Sequence, residues 1–185
     1  LASAEQPDSR SLDSAVNNPA TYLGRLPKNF SIDRAGRELA MTALARLARS
    51  DAASAAARWQ SIAHRFSGEE RGWVGAHLGH YAAQQHQSDA LAWYKSAGDT
   101  PLTEQQHAWK VRAALRAGDW RSVKSAIEAM SEIQRNEGAW TYWLGRAELV
   151  QGKRDEAVAR FTRLSGQPNF YGNLADDELG RPILP

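Results

Sequence analysis

From residue 31 onward apolar residues recur at intervals of three and four, and alternation with period two never persists over a useful length. This predicts an all-helical chain, because apolar positions at that spacing gather on one face only of an α-helix. Three capping boxes mark helix starts: Ser67 with Glu70, Thr103 with Gln106 and Ser131 with Gln134. In each, a hydroxyl and a Glu or Gln side chain satisfy amides that the first turn leaves free. Stops are expected at Gly68, Gly98, Gly118 and Gly152, residues that can enter the left-handed conformation past a helix end. The pattern predicts helices near 32–49, 51–65, 69–85, 89–97, 104–117, 119–130, 139–151, 153–164 and 170–179. Residues 1–30 are polar and punctuated by Pro7, Pro19 and Pro27, with one helix in SLDSAVNN, and read as a partly helical lead-in.

Two of these helices spell the same string. WKVRAALRAG runs from Trp109 to Gly118 and WLGRAELVQG from Trp143 to Gly152, an offset of 34. Each is followed by a helix with an apolar pair four apart, Val123 with Ile127 and Ala157 with Phe161. The same pair occurs earlier as Ala55 with Trp59 and Ala90 with Tyr94, so successive units are separated by 35, 33 and 34 residues. A period of that size predicts an α-solenoid of stacked antiparallel helical hairpins, tetratricopeptide-like over residues 31–166. In the last unit Gly145, Ala147 and Ala157 would let paired helices approach, and Phe161 and Leu164 would plug the gap to the next hairpin.

Composition narrows this little. The 185 residues, 42% hydrophobic and 24% charged, suffice for one substantial core or one repeat array. A net charge of +2 with a pI near 9.1 gives no basic field for nucleic acid. With no cysteine there is no disulfide framework and no thiolate metal site. No apolar run approaches the roughly 20 residues that cross a bilayer. The N-terminus LASAEQPDSR has neither the basic nor the apolar region of a signal peptide. A first residue of Leu in place of Met reads as a processed or excised piece.

Three segments carry a more specific likeness: RAALRAGDW (112–120), WTYWLGRA (140–147) and FYGNLADDELG (170–180). Together they resemble the superhelical region of the soluble lytic transglycosylases, well over residues 104–185 and in hairpin style over 29–103. The resemblance implies an N-terminal solenoid that curls into a ring, ahead of a lysozyme-like domain that cleaves peptidoglycan with formation of a 1,6-anhydro sugar. It also implies a periplasmic location, and it makes residues 167–185 the start of a linker domain. The family's catalytic Glu motif and its Gly-Leu-Met-Gln type segment do not occur here, and the chain stops where those domains would begin. No catalytic residue is therefore carried over, and the expectation is a non-catalytic segment whose partners are peptidoglycan glycan strands and the parent's own linker and catalytic domains.

The residues themselves agree with that expectation. Glycoside cleavage needs a protonated carboxylic acid in a cleft, often with a second carboxylate roughly 5–10 Å away. Glu69 with Glu70, and Asp176, Asp177 and Glu178, are adjacent in sequence and fan around their helices. His77 and His80, with His86 or His107, are the candidates for a metal, but no HExxH string accompanies them and no metal or cofactor is assigned. His64 and His107 read as partly buried or capping residues. Trp109 and Trp143, at equivalent repeat positions, read as core, and Arg112 and Arg146 beside them as ion-paired structural arginines. Trp140, Tyr142, Phe170 and Tyr171 are less constrained by the repeat and are the candidate glycan contacts, since aromatic faces are what sugar rings stack upon. The alternative function is an autonomous repeat module that binds a protein partner in a concave groove.

Overall fold

The structure, a computed structural model, describes residues 8–182. Residues 1–7 of the lead-in, Pro7 among them, and 183–185 of the C-terminal segment lie outside the described residues. The described residues form α-helices joined by short loops, with no strand among them. The chain divides into two compact units, Leu1–Pro101 and Leu102–Pro185. That boundary falls inside the span the repeat pattern treats as continuous.

The first unit contains α1 (Ser9–Asn17), α2 (Pro19–Gly24), α3 (Arg34–Ser50), α4 (Ala52–Ile62), a 3-10 turn (Ala63–Arg65), α5 (Gly68–Gln84) and α6 (Ala90–Ser96). Helices α3 with α4, and α5 with α6, form hairpins, and α5 also packs on α3. The lead-in is more than a polar arm. Ala15, Leu23 and Phe30 are buried in the same core as Leu44, Trp59, Phe66 and Leu78. Helix α2 escapes a pattern search because it is one and a half turns long and is set by Pro19, whose fixed φ suits a first helical position.

The second unit contains α7 (Glu104–Arg116), α8 (Trp120–Glu128), α9 (Glu132–Arg135), α10 (Gly138–Val150), α11 (Arg154–Leu164) and α12 (Phe170–Glu178). Hairpins α7–α8 and α10–α11 stack through α8 and α10, and α12 closes the end against α10 and α11. Tyr142, Ala157, Phe161, Leu164 and Ala175 form the core at that end.

The punctuation follows the sequence with two corrections. Gly98, Gly118 and Gly152 stand past helix ends at φ +56°, +65° and +76°. Gly68 is instead the first residue of α5, because Ser67 before it is the cap and begins the helix. His86, at φ +59°, takes the left-handed place after α5 that glycine fills elsewhere: Gln87 N–H reaches the Ala82 carbonyl at 2.9 Å, as Lys153 N–H reaches Glu148 at 2.8 Å. The boxes at Ser67 and Thr103 are complete. At Ser131 only the hydroxyl half forms, since the Gln134 amide turns to donate to the Glu104 carbonyl at 2.8 Å.

Candidate functional site

In the first unit the site grows from one helix and its spacing of glycines. The Ser67 box fixes where α5 begins, and its Glu70 also accepts from Arg37 on α3 at 2.8 Å. Burial alone would raise the Glu70 pKa, but hydrogen bonds from Arg37 and the Ser67 amide outweigh it and hold the carboxyl below its ordinary value. Along α5, Gly72, Gly75 and Gly79 share one face. A Cβ at Gly72 would lie 2.1 Å from the Thr100 hydroxyl, at Gly75 2.6 Å from the Ser96 hydroxyl, and at Gly79 2.8 Å from the Tyr94 ring. The missing side chains are what allow α6 and the turn after it to lie directly on α5.

This close approach leaves an open groove of about 620 Å³ at the start of α5, bounded by Glu69, Gly72 and Trp73 on one side and Ser96, Asp99 and Thr100 on the other. Its size falls within the range of small-molecule sites. Glu69 and Trp73 are four apart on α5 and so share a face. The Trp73 ring stacks on the His77 imidazole with centroids 3.7 Å apart, and His77 Nδ1 donates to the Trp73 carbonyl at 2.9 Å. Burial lowers the His77 pKa more than this hydrogen bond raises it, so the stacked imidazole is neutral at pH 7. The groove hydroxyls spend their protons on the backbone: Ser96 on the Trp93 carbonyl at 2.7 Å, Thr100 on the Ala97 carbonyl at 2.6 Å. Neither hydroxyl therefore has a proton left to donate.

The aromatic cluster of the second unit is mainly structural. Trp140 and Tyr142 are 6% and 3% exposed, so these two of the four proposed sugar platforms offer no ring face to solvent. Tyr142 is held on three sides, by Phe161, Trp143 and Tyr171, with centroids 5.7, 5.3 and 5.8 Å away. Its hydroxyl donates to Glu178 at 3.0 Å and accepts from Arg146 at 3.1 Å, and Arg146 pairs with Glu178 at 2.8 Å. Phe170 is 68% exposed and stands edge-on to the half-buried Tyr171, so this pair does reach the surface. Trp109 and Trp143, read from the sequence as core, are only half-buried. Arg146 is ion-paired as expected, but Arg112 lies over the rings of Trp109 and Trp140, at 4.8 and 5.5 Å, with no carboxylate partner among the described residues. A cation can be held by the quadrupole of an indole instead of by a counter-ion.

The acidic runs separate completely. Asp176 accepts from the Ser165 hydroxyl and from the Gly166 amide at 3.2 Å, and the Ser165 bond chiefly lowers its pKa. Glu178 serves Arg146, while Asp177 is exposed. The buried Glu148 pairs with Arg160 at 3.4 Å. Among the described residues no three His, Asp or Glu side chains converge as metal ligands. His77 and His80 sit on α5, where His80 is buried beside Gln84, and His64 is exposed in the 3-10 turn. Sequence reasoning missed the groove because its walls come from two segments about 25 residues apart in the chain; the Gly72, Gly75, Gly79 spacing was the available signal.

The fold and this inventory define an all-α protein of helical hairpins with an acidic, aromatic-edged groove. No family model matches the chain. It is 26% identical over 183 residues to the soluble lytic murein transglycosylase of Escherichia coli K12, and equally to that of strain O157:H7, covering 90% of this chain and 26% of each relative. The lytic transglycosylase Slt of Pseudomonas aeruginosa, solved as an inactive mutant, matches 94% of the chain with a TM-score of 0.77 at 26% identity, over 29% of its own length. A 70-kDa soluble lytic transglycosylase solved with bulgecin A shares the fold, with a TM-score of 0.64 over 92% of this chain and 28% of its own. The chain is a homologue of the soluble lytic murein transglycosylases, and it spans about a quarter of the length of the curated relatives it matches.

Proposed function

We propose that this chain is the non-catalytic superhelical part of a periplasmic lytic transglycosylase, which shapes or guides a peptidoglycan strand for a separate catalytic domain. The observation that carries the reading is coverage: nine-tenths of this chain aligns with about a quarter of enzymes named for cleaving murein. The side chains support it, because Glu70, Glu148, Asp176 and Glu178 are each committed to a different structural partner. A general acid must instead be held protonated and facing substrate. Phe170 and Tyr171 are the proposed surface contact for glycan at the end of the second unit.

The test is incubation of the purified chain with isolated sacculi, followed by mass analysis of soluble fragments and by sedimentation. The expected result is co-sedimentation with no fragments above a protein-free control. Release of 1,6-anhydro muropeptides would overturn the non-catalytic assignment, and absence of co-sedimentation would overturn the guiding role.

A further inference from the structure

We infer that the groove at the start of α5 is a saccharide subsite that takes one or two neutral pyranose rings, with Trp73 as its apolar platform. The assignment rests on what the walls offer. None of the ten lining residues is Lys or Arg, while Glu69 and Asp99 are both exposed carboxylates. Ser96 and Thr100 add oxygens whose protons are already donated to the backbone. The side-chain oxygens of this surface are acceptors, two of them on charged carboxylates, so it suits a ligand that brings many donors. A carboxylate accepts well from vicinal hydroxyls, and those charge-assisted bonds are the strong ones.

The aromatic decides between a sugar and a simple polyol. A pyranose presents hydroxyls around its rim and C–H bonds on its face, so it needs a flat apolar surface beside hydrogen-bonding groups, as Trp73 and the carboxylates provide. The platform is rigid before any ligand arrives. Stacking on His77 at 3.7 Å and the His77 hydrogen bond to the Trp73 carbonyl fix the indole, so little side-chain entropy is lost on binding. The close contacts at Gly72 and Gly75 hold the opposite wall at a set distance, because any larger residue there would drive α6 and its turn away. The choice of a murein-type amino sugar as the probe rests on the reading given under Proposed function.

The experiment uses the whole chain and a chitotetraose probe, a β-1,4 oligomer of neutral N-acetylglucosamine, followed by amide and indole NMR. The Trp73 indole peak is identified by its loss in Trp73→Phe, which keeps a ring against His77. Chitotetraose should shift that peak and the amides of Gly98, Asp99 and Thr100. The Glu69→Gln/Asp99→Asn double variant, altered only at exposed positions, should bind about tenfold more weakly. No shift at those positions up to about 10 mM sugar would overturn the subsite. So would a lysine amide probe that shifts them more strongly than the sugar does, because the groove would then be an ammonium site. Sacculus sedimentation is scored in parallel on the parent and Trp73→Phe. Sedimentation without groove shifts sinks the subsite and leaves the guiding role standing; groove shifts without sedimentation do the reverse.

Discussion

Gly118 and Gly152 sit past α7 and α10 at φ +65° and +76°, and a Cβ built at either meets nothing within 4 Å. Space is therefore irrelevant at both, and only backbone conformation limits substitution. Gly118→Val and Gly152→Val should each lose about 1–3 kcal/mol in denaturant melts, since a β-branched residue resists that region. Parent-like melts would place the helix ends elsewhere. A second prediction concerns His80, which is buried with Nδ1 unpartnered and Nε2 3.1 Å from the Gln84 amide. Burial, and then the neighbouring His77, lower its pKa from the ordinary 6.5. In the unfolded chain it binds a proton more readily, so its contribution to stability is complete above pH 6.5 and is lost as pH falls through the depressed folded value. His80→Phe should therefore melt with a shallower pH dependence than the parent between about pH 7 and pH 5, part of the slope remaining with His77. Equal slopes in the two proteins would mean His80 is hydrated in the folded state. These residue-level features divide by visibility: a glycine stop is written in the sequence, whereas the burial of His80 depends on which face of α5 meets α3 and α6.

At the scale of the helical hairpin, fit is set by complementary volumes. A Cβ at Gly145 would lie 2.7 Å from the Phe161 ring, just as one at Gly79 would lie 2.8 Å from Tyr94. One repeat earlier the same two places hold Val111 and Ile127, both fully buried. The larger residue on the first helix goes with the smaller on the second. Gly145→Ala alone should cost about 1–3 kcal/mol by overpacking. Combined with Phe161→Ile it should cost less than the sum of the two single changes, the signature of a shared contact. Strict additivity in urea melts would show that the helices adjust independently. The repeat period aligns Gly145 with Val111 and Phe161 with Ile127, each 34 apart, but the sequence reading set Phe161 against the next hairpin, whereas its ring also lies on Gly145 of its own. The period did not expose α2 or α9, six and four residues long, because neither spans enough turns to show a period.

For the molecule as a whole, the all-helical class and most element boundaries were legible, since long amphipathic segments with caps leave few alternatives. The likeness to lytic transglycosylases was legible too, on the strings around Trp120, Trp143 and Tyr171. Neither the groove nor the burial of the aromatics was legible. Of the four aromatics chosen for glycan contact, Trp140 and Tyr142 are buried, because an aromatic string shows only that rings are close in the chain, not which of them the next helix covers. Trp73 drew no notice, because its role depends on a turn some 25 residues later coming to rest beside it.

The paired volumes at Gly145 with Phe161 and Val111 with Ile127 also bear on how such a chain can be recombined. A crossover inside a hairpin would join Val111 to Phe161, two large groups where one fits, or Gly145 to Ile127, leaving a hole. A crossover in the loops between hairpins keeps every couple intact. Viable exchanges between the repeats of this chain should thus have their junctions near residues 101–103 and 129–137, between α6 and α7 and between α8 and α10, and the hairpin, not the single helix, is the heritable block of this architecture.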